Sequence, residues 1–417
     1  MKNEINNYKL KNYEMFLIVF FIALTYLSIN IKIFVGILSI IILLVRNRFR
    51  LPYDTIYFPI FLVLIAGSIA GIVNQQLIYN FLRDFSYFIG PIVYIILGSF
   101  LYTELKYKPS IFRLFVIYIA MDTVKVFLNI FLFQRELLVS GSFNVIRSAI
   151  LGGETVVPLA LGVLVFKSYF KDAVLFSKKV NTFLVVILSI RLILSFSRTM
   201  IISFLVTGFI FLFFRPEKKS IKPKQVALLI AIIIVFFITI RFLPDKIINT
   251  LVNKFQRIFV ETSSIGNWSN YETVVNNWRG YEVSVGKQLY YSGTILQKIF
   301  GFGFGQLFPV MYSDLVGVPL SDGGITIIHN GYLFNLIKGG IFSLAMYILF
   351  FLLIMIKSLK DKIENSIVSP LLFAYSMLMT ITTAVIMGFF QRNFDAGMIL
   401  IFSMALAYQR MIQKEKK

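Results

Sequence analysis

The sequence predicts an all-α, polytopic transmembrane helix bundle of about twelve spans, with one large extracytoplasmic loop between spans 9 and 10. Three observations predict it. The 417-residue chain is 58% hydrophobic and only 15% charged, against roughly 45–50% apolar and 25% charged residues in a soluble domain. Apolar runs long enough to cross about 30 Å of hydrocarbon recur along its whole length, and the mean hydropathy is +0.81. Lys and Arg gather in alternate connections between those runs. A large soluble core does not account for runs so long and so many. A bilayer does, because without water every backbone group must be satisfied inside its own helix. Spans and loop form a single integral membrane domain over residues 1–417.

In chain order the first six spans lie near Met15–Ser28, Ile33–Val45, Ile56–Val73, Phe85–Tyr102, Phe112–Phe133 and Ala149–Phe166. The other six lie near Thr182–Phe196, Met200–Phe214, Val226–Leu243, Gly331–Ile356, Val368–Phe389 and Ala396–Tyr408. The Ala149–Phe166 run contains Gly152, Gly153, Glu154 and Pro158, so its helix start is expected to be broken. Lys2, Lys9 and Lys11 precede the first run and no small-residue cleavage site follows it, which makes it a retained span and not a removed leader. The segment from about Pro244 to Ile328 is the one long stretch without a credible span. Within it, Asn249–Phe259 mixes apolar and basic residues as an amphipathic helix on a membrane surface does.

Charge orients the bundle. The net charge is +21, with 41 Lys and Arg against 20 acids. On a soluble protein that excess would point to nucleic acid. Here it sits in short even-numbered connections, such as Arg46, Arg48 and Arg50, Lys167 to Lys179, and Arg215 to Lys224. That asymmetry puts both termini in the cytoplasm and residues 244–328 outside. A lipid bilayer is the implied partner, and nucleic acid is not. The chain has no Cys and one His, which rules out thiolate chemistry and leaves no cluster for a catalytic metal.

The residues able to carry chemistry gather around the outer ends of the spans. His329, the sole histidine, stands in Ile327-Ile328-His329-Asn330-Gly331-Tyr332 where the long loop enters the tenth span. It is either a base working near neutral pH or an interfacial polar residue at a helix start, with Asn330 a candidate N-cap. Arg198 lies in the turn Ser195-Phe196-Ser197-Arg198-Thr199, and Arg191 lies seven residues earlier, two helical turns deeper on the same face. Two guanidinium groups in line would hold a diphosphate whose lipid tail enters from the bilayer. The plain alternative is snorkelling to headgroups for Arg198. In the loop, Asn277-Trp278-Arg279-Gly280-Tyr281-Glu282 combines aromatic faces for sugar rings with a phosphate-binding Arg, or is an ordinary folded loop. Phe300-Gly301-Phe302-Gly303-Phe304-Gly305 permits close backbone approach, and Asp122 and Lys125 are placed to pair on one face of the fifth span.

Together these pieces resemble the O-antigen ligase and O-antigen (capsular polysaccharide) polymerase superfamily. The resemblance rests on Ser197-Arg198 after an apolar span and on Arg279 followed by Phe300-Gly301-Phe302-Gly303-Phe304-Gly305. It rests also on His329-Asn330-Gly331-Tyr332-Leu333 with Gly339-Gly340-Ile341 behind it. By motif it covers about 130 residues, and by topology most of the chain. It implies glycosyl transfer outside a bacterial cytoplasmic membrane from a polyprenyl-diphosphate-linked oligosaccharide, without nucleotide, metal or other cofactor. His329, Arg279 and Arg198 would be catalytic, and Arg191, Trp278, Tyr281, Glu282 and Asn330 would bind substrate. A chain-length regulator and a flippase are the partners it suggests. Polymerase and ligase both remain open, with composition leaning to the polymerase. A transporter of lipid or anionic solute would call for internal repeats and paired broken helices at mid-membrane, and the sequence has neither apart from the Glu154 region.

Overall fold

A computed structural model describes residues 2–50, 54–104, 110–133, 150, 152–169, 176–216, 266–311, 324–360 and 368–415, with scattered positions between 220 and 238. The described residues are mainly α-helical, with 3₁₀ turns at Thr55–Tyr57 and Lys167–Tyr169 and an isolated β-bridge, Phe308 to Ile325. The first helices are α1 (Lys2–Tyr26), α2 (Ile29–Arg46), α3 (Phe58–Val73), α4 (Ile78–Glu104), α5 (Ile111–Phe133), α6 (Val156–Phe166), α7 (Lys178–Leu194) and α8 (Arg198–Phe213). Three short helices follow, α9 (Tyr271–Asn276), α10 (Trp278–Ser292) and α11 (Ile295–Phe300). The last three are α12 (Gly331–Lys360), α13 (Val368–Thr383) and α14 (Ala396–Glu415). Five stretches are long and apolar enough to cross a bilayer: Ile29–Arg46, Thr55–Val73, Ile78–Glu104, Ile111–Leu132 and Gly331–Lys360. The protein is an all-α membrane protein. The expected ninth span, Val226–Leu243, falls largely outside the described residues, and the amphipathic stretch Asn249–Phe259 falls wholly outside them.

Lipid gives helices no hydrophobic reason to associate, so small residues and buried hydroxyls set where they meet. The α4–α14 contact shows this. A Cβ at Gly98 would stand 2.6 Å from the Leu400 carbonyl oxygen. Beside it the Ser99 and Ser403 hydroxyls lie 2.8 Å apart, and Tyr57 reaches Ser99 at 2.6 Å. Outward faces carry the opposite composition, with Phe16, Phe34, Ile69 and Phe209 exposed.

Three elements depart from the expected spans, each for a local reason. Helix α4 begins at Ile78, ahead of the expected Phe85, because its early polar residues are satisfied within the bundle. Asn80 accepts from Arg83 at 2.8 Å, and Asp84 is fully buried on a lysine. Helix α6 begins only at Val156, after Gly152 and Gly153 turn the chain through positive φ. All eleven of its residues are buried, so it is a core helix enclosed by its neighbours. Helix α12 is kinked at Gly340, where φ is 71°.

That kink receives the phenylalanine–glycine segment. Phe302 N–H donates to the Ile337 carbonyl at 2.8 Å and Phe304 N–H to the Gly67 carbonyl at 2.9 Å, so the chain is threaded between α3 and α12. A Cβ at Gly303 would lie 2.0 Å from Gly71 N, which only glycine avoids. Phe304 is buried 4.5 Å from the Phe88 ring. The close approach expected of this segment is therefore made to helix backbone. Chain direction places the ends of α1, α3, α5, α7 and α13 and the starts of α2, α4, α6, α8, α12 and α14 at one end of the bundle. Arg46, Arg113, Lys178, Arg215, Lys357 and Arg410 lie at the other.

Candidate active site

Two cavities open at the first of these ends. The smaller, of about 150 Å³, is lined by Arg198, Thr199, Ile202 and Ser203 of α8, by Arg279 and Val283 of α10, by His329 and Asn330, and by the 378–385 stretch that closes α13. Each charged group is set in place by a helix terminus. The Ser197 hydroxyl accepts from Met200 N–H at 3.4 Å and caps α8, which makes Arg198 the first residue of that helix. The Asn277 side chain caps α10 through Gly280 N–H at 3.3 Å, with Arg279 in its first turn. The Asn330 side chain accepts from Leu333 N–H at 3.0 Å and caps α12, directly after His329. Three N-termini thus converge on one cavity, a setting that favours negative charge.

His329 is held from behind. Its Nδ1 lies 2.8 Å from Oε2 and 3.1 Å from Oε1 of Glu282, and its backbone N–H donates to the same carboxylate at 3.1 Å. The Trp278 indole N–H donates to Glu282 Oε1 at 2.8 Å. The Glu282 side chain is 3% exposed, whereas that of His329 is 50% exposed. A carboxylate only accepts, so in the neutral ring the hydrogen sits on Nδ1 and the lone pair on Nε2. The ring is therefore fixed in the tautomer that a general base requires.

No family model matches this chain, and no curated protein matches it either.

The remaining expected residues divide. Arg198, Arg279, His329 and Asn330 share the small cavity, whereas Trp278, Tyr281 and Glu282 stand behind it. Tyr281 is 3% exposed, packs on Trp268 and Trp278, and accepts from Met311 N–H at 2.7 Å, so it anchors the loop. Arg191 is not in line with Arg198. Its guanidinium is buried and donates to Asp122 at 2.8 Å, to Thr123 Oγ1 at 2.9 Å and to the Gly152 carbonyl at 3.1 Å. The break at residues 195–197, with Phe196 at φ 45°, separates α7 from α8 and destroys the helical phase that would align the two arginines. The expected Asp122–Lys125 pair gives way to Asp122–Arg191, and Lys125 turns to Thr25 Oγ1 at 3.0 Å and to the Tyr26 ring.

Sequence reasoning passed over two features. One is the buried pair Asp84–Lys338 at 2.5 Å, whose carboxylate also accepts from Gly305 N–H at 2.7 Å while the ammonium reaches the Gln306 carbonyl. The other is the larger cavity, of about 590 Å³, in which Arg191, Asp122 and Lys125 reappear with Asp395. Asp395 accepts from Tyr118 at 2.5 Å and from Met398 N–H at 2.9 Å. Removal from bulk water raises its carboxyl above the ordinary range, and these two hydrogen bonds oppose the rise.

Proposed function

We propose that the protein transfers glycan from a polyprenyl-diphosphate-linked donor to an acceptor hydroxyl and polymerises O-antigen or capsule repeat units. In this reading the bundle has about twelve spans in a bacterial cytoplasmic membrane, both termini are cytoplasmic, and both cavities face outward. The observation that carries the reading is the joint lining of one small cavity by Arg198, Arg279 and a carboxylate-held His329. Its other wall is apolar, and Ile202 and Ile381 are 46% and 39% exposed at its edge. A charged head beside an apolar exit suits a lipid diphosphate.

The acceptor hydroxyl gives its proton to His329 Nε2 while its oxygen bonds to the anomeric carbon of the donor glycan. The bond from that carbon to the phosphate oxygen breaks, and the polyprenyl diphosphate leaves with the electron pair. Negative charge grows on the leaving group, where the Arg198 and Arg279 guanidinium groups stabilise it. Glu282 stabilises the imidazolium that forms, as the orienting carboxylate does in hydrolase triads. The donor brings its own activation, and the residues named account for both proton and leaving group.

The test is glycan chain length in cells carrying Arg198→Ala, Arg279→Ala or His329→Ala at unchanged protein level. Each is expected to abolish long-chain product, and normal long chains from all three end the reading. Deletion separates the two transfer reactions. Single-repeat surface glycan is expected for a lost polymerase, whereas long polymer retained on its lipid carrier would identify a ligase.

A further inference from the structure

The cavity that houses Arg198, Arg279 and His329 has room for a diphosphate and the reacting bond, and at about 150 Å³ for little more. Drug-sized ligands occupy roughly 300–1,000 Å³. The neighbouring cavity, at about 590 Å³, falls within that range. The two share a wall, because Thr382 lines both, and Val385 of the first is followed in sequence by Ile386 of the second. Both open at the same end of the bundle.

The chemistry of the larger cavity differs from that of the smaller. Three cations, Lys32, Lys125 and Arg191, are matched by three acids, Asp122, Glu154 and Asp395. Several of these are already engaged with one another or with the protein. Arg191 holds Asp122, Asp395 accepts from Tyr118, and Glu154 accepts from Gly152 N–H at 3.3 Å. Such a balanced lining does not select a strong anion. It offers many fixed donors and acceptors, to which the amide side chains of Gln391 and Asn393 add more. Phe389 and Phe394 close the wall behind them, almost wholly buried against the protein. Carboxylates, amides and paired cations around a roomy polar space match a ligand with many hydroxyls and little charge.

We infer that the larger cavity is a saccharide site, which seats the glycan of a substrate while its diphosphate, or the bond being made, occupies the smaller one. This rests on the glycosyl-transfer reading and adds to it a glycan subsite walled by the end of α13 and the 386–399 segment. It also gives Arg191 a role distinct from that of Arg198, since Arg191 organises the sugar chamber through Asp122 and does not hold phosphate.

The test uses the full-length protein in nanodiscs. The probe is the free repeat-unit oligosaccharide released by mild acid from the lipid-linked pool, which lacks the diphosphate. Gln391→Trp fills the space and Asn393→Ala removes two donors, and both side chains are partly or fully exposed, so packing is kept. The wild type is expected to bind the oligosaccharide, and each variant to weaken it by about tenfold, the worth of one or two hydrogen bonds. In turnover with lipid-linked substrates the same variants should raise KM more than they lower kcat. A rise confined to the acceptor assigns the chamber to acceptor glycan, and one confined to the donor assigns it to donor glycan. Oligosaccharide binding that ignores both variants overturns the inference and leaves glycosyl transfer standing, as does turnover by wild type with no oligosaccharide binding. Failure of the wild type to turn over the lipid-linked glycan at all overturns the underlying reading as well.

Discussion

Two carboxylates, each paired with a basic side chain, flank the start of α12, and they are built in opposite ways. Asp84 and Lys338 are both sealed, with side chains 0% and 1% exposed; Asp84 Oδ2 also accepts from Gly305 N–H, its Oδ1 lies 3.5 Å from Arg83 Nε, and the ammonium reaches the Gln306 carbonyl. The Lys338 ammonium also sits 5.5 Å from the Phe308 and Phe334 rings. In Glu282–His329 only the carboxylate is sealed, and half of the imidazole side chain is exposed beside a cavity. Sealing both partners turns charge into a structural tie between α4, α12 and the phenylalanine–glycine segment. Saturating one of them fixes the geometry of the other and leaves it an atom with which to react.

Breaking the sealed pair is expected to have the largest effect. Lys338→Ala leaves the buried Asp84 carboxylate with the more distant Arg83 at 3.5 Å, and losing the close partner of a buried pair costs up to about 3–5 kcal/mol. Thermal unfolding in detergent and the amount of protein in the membrane should both fall sharply. Replacing both partners by apolar residues, as in Asp84→Leu with Lys338→Met, is expected to recover most of that loss. A double variant as unstable as the single would show that the pair does more than neutralise itself. At the other pair the effect moves from stability to rate. His329→Ala leaves Glu282 the bonds from the Trp278 indole and the backbone N–H of residue 329, so it should lower stability less than Lys338→Ala does, and it should lower turnover by about 10²–10⁴, the usual contribution of a positioned base. Glu282→Gln keeps an acceptor for Trp278 but loses the charge that stabilises the imidazolium. A smaller loss of rate is expected, with the acid limb of the pH–rate profile, where a general base loses its proton, displaced to lower pH, and an unchanged profile would reduce Glu282 to a packing residue.

The same contrast explains what was legible from residues alone. Apolar runs declare themselves because a bilayer asks for length and composition, and α2, α3, α5 and α12 lie close to where hydropathy puts them. Ser197-Arg198, Arg279 and His329-Asn330 were legible as chemistry because each stands at a helix start, where a capping residue and a charge are adjacent in sequence. The partners were not. Glu282 meets His329 across 47 residues, and Asp84 meets Lys338 across 254. Asp122 passes over Lys125, three residues away, for Arg191, 69 residues away, because the bundle brings α5 against α7. Helical phase also misled at the α7–α8 turn, since a seven-residue spacing means two turns only while the helix continues.

The smallest expected effect lies in the larger cavity and sharpens the comparison. Asp395 is an intermediate case, half-buried at the cavity wall, with two hydrogen bonds and no ion-pair partner among the described residues. Folding raises its pKa, so the folded state favours the protonated form. The sign follows from linkage. Its stabilising contribution is full below the pKa of an unfolded carboxyl and is lost as pH rises through the folded value. Asp395→Asn keeps an acceptor for Tyr118 and for Met398 N–H but has no charge to desolvate. Measured from mildly acidic to mildly alkaline pH, the Tm of the wild type should therefore fall relative to the variant by a few degrees at most. The opposite slope would mean that Lys32, whose charge favours the Asp395 carboxylate, outweighs the loss of water. Asp395 would then belong with the sealed pair as a structural ion, and the larger cavity would keep fewer groups for a ligand.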